Sequence, residues 1–144
     1  LNVKNIIATK EAGRQKFVRE LLTNPQPIQI NSPDDKFLMK LMSIIESHLD
    51  DTDFEVNTIV EEIGMSKTVL YKKVQAITNL SVADLIKSIR LKKAAMLLER
   101  NQISIAEIAF AVGFNDRKYF SKEFKKLYNV SPSEYILANA TKHL

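Results

Sequence analysis

The stretch Ile105-Ala106-Glu107-Ile108-Ala109-Phe110-Ala111-Val112-Gly113-Phe114 repeats, at an offset of 49, the pattern of Val56-Asn57-Thr58-Ile59-Val60-Glu61-Glu62-Ile63-Gly64-Met65. The apolar positions coincide, and so does the glycine. After the glycine the second copy carries one extra residue. At an offset of 50, Leu70, Val74, Ile77, Asn79, Leu80 and Ser81 then match Phe120, Phe124, Leu127, Asn129, Val130 and Ser131. A repeat held in register over two segments decides the fold more firmly than any single motif. Each copy reads as a short helix, a glycine turn and a second helix.

This is the pattern a helix-turn-helix requires. The turn needs a residue that accepts the left-handed conformation, and Gly64 and Gly113 supply it. An apolar residue must then plug the angle between the helices, and Met65 and Phe114 fit. The second helix needs an N-cap: Ser66 in the first copy, Asn115 or Asp116 in the second. The first helix of the second copy opens on Ser104-Ile105-Ala106-Glu107, a capping box. The first copy has Glu55 and Thr58 there, so its start is less well specified.

Between the copies, Ser81 to Arg100 reads as one long helix with Leu85, Ile86, Ile89, Ala94, Leu97 and Leu98 inward, capped by Ser81 with Asp84 at N3. Upstream, Ser32-Pro33-Asp34-Asp35 is a helix start. The helix that follows puts Phe37, Leu38, Leu41, Met42, Ile44, Ile45 and Leu49 on one broad face. Residues 1–24 read as a further helix with an apolar stripe that needs a partner, ahead of the linker Asn24-Pro25-Gln26-Pro27. The expected fold is therefore all-α: two helix-turn-helix subdomains at about 55–80 and 104–129, a linker helix at about 81–100, and an N-terminal helical arm. The expected division is an arm and Pro-containing linker over 1–33 and a second domain over 34–144.

Composition agrees. In 144 residues, hydrophobic side chains make up 45%, enough for a core, and three Gly and four Pro leave most of the chain free to be helical. There is no Cys, so disulfides, zinc fingers and thiol catalysis are excluded, and a reducing compartment fits. No apolar run reaches the roughly 18 residues of a membrane span, and no signal peptide is visible, so no membrane contact and a cytoplasmic location are expected. The chain opens on Leu1, so it is read as a piece of something longer. Residues 1–63 carry 7 Lys/Arg against 11 Asp/Glu, a net of −4, whereas residues 64–144 carry 14 against 6, a net of +8. The basic half is the half with the second helices, which suits a polyanion.

On those second helices the exposed positions are expected to be Lys67, Thr68, Tyr71, Lys72 and Lys73 in the first copy. In the second they are Asp116, Arg117, Lys118, Ser121, Lys122 and Lys125. Lys and Arg neutralise phosphates, and Arg can read guanine bidentately. Thr and Ser can meet bases or phosphate, and Tyr71 can pack on a thymine methyl or a sugar. Phe110, Tyr119, Phe120, Phe124, Tyr128 and Tyr135 are read as core rather than as base-stacking residues. Three competing readings stand beside sequence-specific DNA binding. The faces are merely solvated, or they dock an acidic protein partner in a helical interaction module, or they bind nucleic acid without sequence preference. Catalysis finds no support: His48 and His143 have no nucleophile or ligand set near them in sequence, no phosphate-binding glycine loop exists, and Asp50 to Glu55 lacks the Ca²⁺-loop pattern. No metal or cofactor is expected.

Over about Phe37 to Tyr135 the chain resembles the AraC/XylS-type transcription-factor DNA-binding domain. The second repeat carries the match: Ile105 to Ala109, Val112-Gly113-Phe114-Asn115-Asp116, Tyr119 to Lys126, and Ser131-Pro132-Ser133-Glu134-Tyr135. The linker-helix stretch Ile89-Arg90-Leu91-Lys92-Lys93-Ala94-Ala95 also fits. The resemblance implies that both second helices enter successive major grooves on one face of a duplex, about 34 Å apart. It implies contacts from Thr68, Tyr71 and Lys72 in one unit and from Arg117, Lys118 and Lys122 in the other. RNA polymerase is a further candidate partner of such a regulator, and the sequence leaves activation and repression open. Asn5-Ile6-Ile7-Ala8-Thr9-Lys10-Glu11 through Phe17, with Asp35-Lys36-Phe37-Leu38 after the linker, is similar to the segment between receiver and AraC-type domains in hybrid two-component regulators of gut Bacteroidetes, which commonly control glycan-utilisation genes. That similarity implies a receiver domain or a second chain as partner of the arm.

Overall fold

The computed structural model describes residues 32–51 and 53–142. The arm over 1–24 and its linker, with His143, lie outside the described residues. Among the described residues there are seven helices and no strand: α1 (Pro33–Ser47), α2 (Val56–Ile63), α3 (Lys67–Thr78), α4 (Val82–Arg100), α5 (Ile105–Ala111), α6 (Arg117–Tyr128) and α7 (Pro132–Lys142). None of these helices is long and apolar enough to cross a membrane. They form two compact units. One comprises the described residues up to Ile45 with Glu55–Ile86, the other Glu46–Phe54 with the chain from Lys87 onward.

Local chemistry sets most helix starts. Ser32 Oγ accepts from the Asp35 amide at 3.1 Å, Ser66 Oγ from Val69 at 3.2 Å, and Ser81 Oγ from Asp84 at 3.1 Å. Ser104 and Glu107 close the capping box foreseen for α5 (3.1 and 3.4 Å), and Ser131 and Glu134 close a second one for α7 (both 3.2 Å). Hydrogen bonding to the carboxylate by the side chain and the amide of Ser131 holds the Glu134 carboxyl below its ordinary pKa. Of the two candidates for α6, the cap is Asp116, whose carboxylate accepts from Lys118 N at 2.9 Å. Glu55 precedes α2 without a side-chain cap, matching the weak start read there. The stops are left-handed residues: Gly64 (φ 76°) and Gly113 (φ 91°) as expected, and also Asn79, Asn101 and Asn129 (φ 59°, 49° and 65°). The repeat had aligned Asn79 with Asn129 without giving them this task.

In the first unit, α1 buries Leu38, Leu41 and Ile45, α2 buries Ile59 and Ile63, and α3 buries Leu70 and Val74. Thr78 ends α3 with its buried hydroxyl satisfied, donating to Val74 O at 2.7 Å and accepting from Leu80 N at 3.1 Å. The second unit is built on aromatic rings. Phe114 and Phe120 lie with centroids 5.3 Å apart, Phe120 and Phe124 5.9 Å, Phe124 and Tyr128 4.5 Å, and Phe124 and Tyr135 5.4 Å. Offset and edge-on pairs of this kind add to plain burial. Tyr135 donates to Glu99 at 2.7 Å; burial first, then that carboxylate, push the Tyr135 pKa up to about 12.

The structure corrects two expectations. Phe110 is 58% exposed and Tyr119 48% exposed, so neither is core. On α5 the buried side is Ile108 and Ala109, and Phe110 lies across the helix from it. Tyr119 stands at the edge of the α6 core face, 5.9 Å from the Phe114 ring. Along α4, the expected inward set also changes. Leu85 and Ile89 are buried, but so are Leu91 and Ala95, while Ile86 and Leu97 are half-buried. At about 100° per residue, Val82, Leu85 and Ile89 share one face, and Leu91, Ala94, Ala95 and Leu98 share a nearly opposite one. Burial changes face along the helix, so no single inward stripe exists for a periodicity argument to find.

Candidate nucleic-acid interface

Each candidate side chain is placed by a helix whose inner face is anchored. On α3, Leu70, Val74 and Thr78 point inward, and Lys67, Thr68, Tyr71 and Lys72 are exposed. On α6, Phe120, Glu123 and Phe124 point inward. Arg117, Lys118 and Lys122 are exposed and Ser121 is half-buried. Each set therefore lies along one exposed helix face of its own unit.

The same geometry widens the list. With about 100° per residue, the direction opposite the α3 core falls at Lys72 and Ala76, with Thr68 and Gln75 to one side of it, and that opposite the α6 core on Lys118, Lys122 and Lys125. Gln75 and Lys125 are both exposed and occupy equivalent positions in the two repeats. Residue type alone did not point to Gln75; the repeat offset would have. Gln75 Nε2 donates to Asn79 Oδ1 at 3.2 Å, which orients its amide. Conversely, Arg117 and Ser121 sit nearer the edge of their arc than its centre.

Two positions that match across the repeat make contacts that anchor the helices, one from an exposed side chain, Lys73, and one from a buried one, Glu123. Lys73 Nζ lies 4.8 Å from the centroid of the Phe37 ring, a cation–π contact that ties α3 to α1. Its counterpart Glu123 is 7% exposed and pairs with Lys87 of α4 at 3.3 Å and with Lys126 at 3.5 Å. Burial works to raise the Glu123 pKa, but the hydrogen bonds and charges of Lys87 and Lys126 outweigh it and hold the carboxyl below its ordinary value. Lys73 is exposed, as expected, and has a packing contact in addition.

The outward cations are electrostatically available. Lys67 lies over the Tyr71 ring at 5.8 Å, a loose contact that leaves the ammonium accessible. Among the described residues, ion pairs with the inward Glu123 are made by Lys87 and Lys126, and Asp116 is engaged as the α6 cap. Among the described residues, Arg117 makes no ion pair with Asp116 or Glu123. No group of three or more His, Cys, Asp or Glu that could hold a metal occurs among the described residues. The arrangement offers basic and amide donors on two exposed helices.

A helix-turn-helix domain family model matches residues 59–137. The chain is 40% identical over 135 residues to the protein called Histidine kinase P4 of Formosa agariphila, covering 94% of this chain and 10% of that protein. It is 37% identical over 105 residues to the Msm operon regulatory protein of Streptococcus mutans, covering 73% of this chain and 37% of the relative. The chain thus spans well under half the length of these relatives. Among solved structures, the C-terminal domain of AraT, a response regulator from Geobacillus stearothermophilus, superposes with a TM-score of 0.62 at 31% identity, covering 74% of this chain and 86% of that one.

Proposed function

The chain belongs to the AraC-type helix-turn-helix family of DNA-binding transcription regulators, and from that premise we propose that it reads a specific double-stranded DNA sequence through α3 and α6. The observation that carries the reading is the pair of outward arcs. Two repeats, in register, each present a second helix whose inner face is anchored and whose outer face carries donors suited to phosphate and base edges. In this reading Lys67, Thr68, Tyr71, Lys72 and Gln75 serve the first unit. Arg117, Lys118, Ser121, Lys122 and Lys125 serve the second. Arg117 and Gln75 are the residues with base-reading chemistry, for guanine and adenine respectively. The lysines hold phosphate. Because both units lie in one chain, one molecule can read an asymmetric site.

In the same reading the chain is the output domain of a cytoplasmic two-component regulator, supported by its likeness to a response-regulator C-terminal domain and to a protein named as a histidine kinase. Residues 1–33 then form an arm and linker, and 34–144 the DNA-binding domain. The arm meets a receiver domain or a second chain, and RNA polymerase is the further partner of a bound activator. The test is selection of bound duplexes from a random pool, followed by gel shifts with the enriched sequence. The reading expects an enriched motif with two half-sites; a pool that stays random after repeated rounds would overturn it.

A further inference from the structure

Arg90 belongs to a stretch with a recognisable pattern, yet it lies on the linker helix α4 rather than on α3 or α6, and base or phosphate contact gives it nothing to do. Its surroundings are specific. Arg90 is half-buried, and its Nη1 donates to two backbone carbonyls, Leu49 O at 2.9 Å and Val112 O at 2.8 Å. One guanidinium nitrogen carries two hydrogens, so both carbonyls are served by one atom. Val112 caps the end of α5 and Leu49 follows the end of α1; carbonyls at helix ends lack helical partners and need a donor from elsewhere. Burial lowers the Arg90 pKa and Asp51 offsets part of that.

The next residue explains the placement. Gly113 has φ 91°, and a Cβ added there would overlap the Arg90 guanidinium and stand 2.6 Å from Leu49 O. The glycine of the second turn is therefore there for two reasons: the left-handed backbone, and the space that the guanidinium fills. Gly64, its counterpart, has nothing within 4 Å of such a Cβ. Phe114, Asn115 and Asp116 follow, and then α6 begins. The arginine thus grips the turn that sets the angle between α5 and α6.

We infer that Arg90 is a positioning residue for base reading by the second unit: by clamping Leu49 O and Val112 O beside Gly113, it fixes the direction of α6. This rests on the DNA-binding reading above. The physical asymmetry is between the two kinds of contact. Base reading by hydrogen bonds tolerates displacements of only about 0.5 Å, whereas attraction of lysines to phosphate is long-ranged. Loosening the turn should therefore blunt sequence preference more than total affinity.

The experiment compares base-preference profiles of the wild-type chain, Arg90→Met and Arg90→Lys on the selected duplex and its single-base variants. Arg117→Ala and Gln75→Ala, which remove the base-reading side chains of the two units, identify which positions belong to the second and the first unit. Arg90→Met keeps an apolar stem and removes both donors. Its preference at second-unit positions should flatten by roughly five- to tenfold, with first-unit positions and the salt slope unchanged. Arg90→Lys keeps a donor in reach and should recover part of the preference. Equal loss at both half-sites, a reduced salt slope (which would make Arg90 a phosphate contact), or an unchanged profile would each overturn the inference. So would failure of both variants to give the wild-type circular dichroism, since Arg90 would then serve the fold rather than the reading. If the wild-type chain itself shows no preference, it is the DNA reading that has failed.

Discussion

Arg117 is where the account of recognition is most exposed to test. It is the one arginine on α3 or α6, and it is exposed. If it reads a guanine, Arg117→Ala costs about 1–3 kcal/mol and relaxes preference at one base pair. Lys122→Ala, on the centre of the same arc, should weaken binding to all sequences alike. Competition binding against the four bases at each position distinguishes them; an Arg117→Ala protein with intact affinity and preference would move base reading to the first unit or to DNA shape. Glu123 makes a different prediction. Its carboxyl is held below its ordinary pKa, so the folded state binds that proton less readily than the unfolded one. The resulting stability is present above the ordinary Glu value and is lost as pH falls through the lowered one. Thermal unfolding at neutral pH and in acid should show a loss that Glu123→Gln reduces; an identical acid loss in the variant would place the sensitivity elsewhere.

At the scale of elements, the two turns look alike in sequence and differ in what surrounds them. Gly64→Ala meets only backbone strain, about 1 kcal/mol. Gly113→Ala adds a clash with Arg90 and Leu49 O, bringing its cost to roughly 3 kcal/mol. Denaturant unfolding of the two variants measures the gap, and equal values would mean that the guanidinium moves aside freely. Helix starts were legible because Ser, Asp and Glu act within three or four residues of themselves: Ser32, Ser66, Ser81 and Ser104 all cap as read. Contacts made at long range were not. Nothing local in Arg90 announces carbonyls at Leu49 and Val112, and nothing local in Glu123 announces Lys87. Helical spacing grouped Phe110 and Tyr119 with the true core aromatics, because spacing fixes which residues share a face but not which face is covered.

For the whole molecule, the internal repeat made the architecture readable: a copied pattern constrains both copies at once, and the order of helices from Pro33 to Lys142 follows it. The candidate surfaces were readable for the same reason, apart from Gln75, whose neutral amide gave no charge signal. The arm is a prediction of its own. Deleting residues 1–30 should leave the affinity of an isolated monomer for its duplex within tenfold, a limit of about 1.4 kcal/mol; a larger loss would make those residues part of the binding site. The central claim, that this chain recognises double-stranded DNA by sequence, is tested most directly by its equilibrium affinity for the selected duplex and for a scrambled one across a salt series. The account predicts a log–log salt slope of roughly −0.9 for each phosphate contact on both duplexes, with the selected duplex bound about a thousandfold tighter or more. Equal affinity for the two, or an affinity flat with salt, would contradict it.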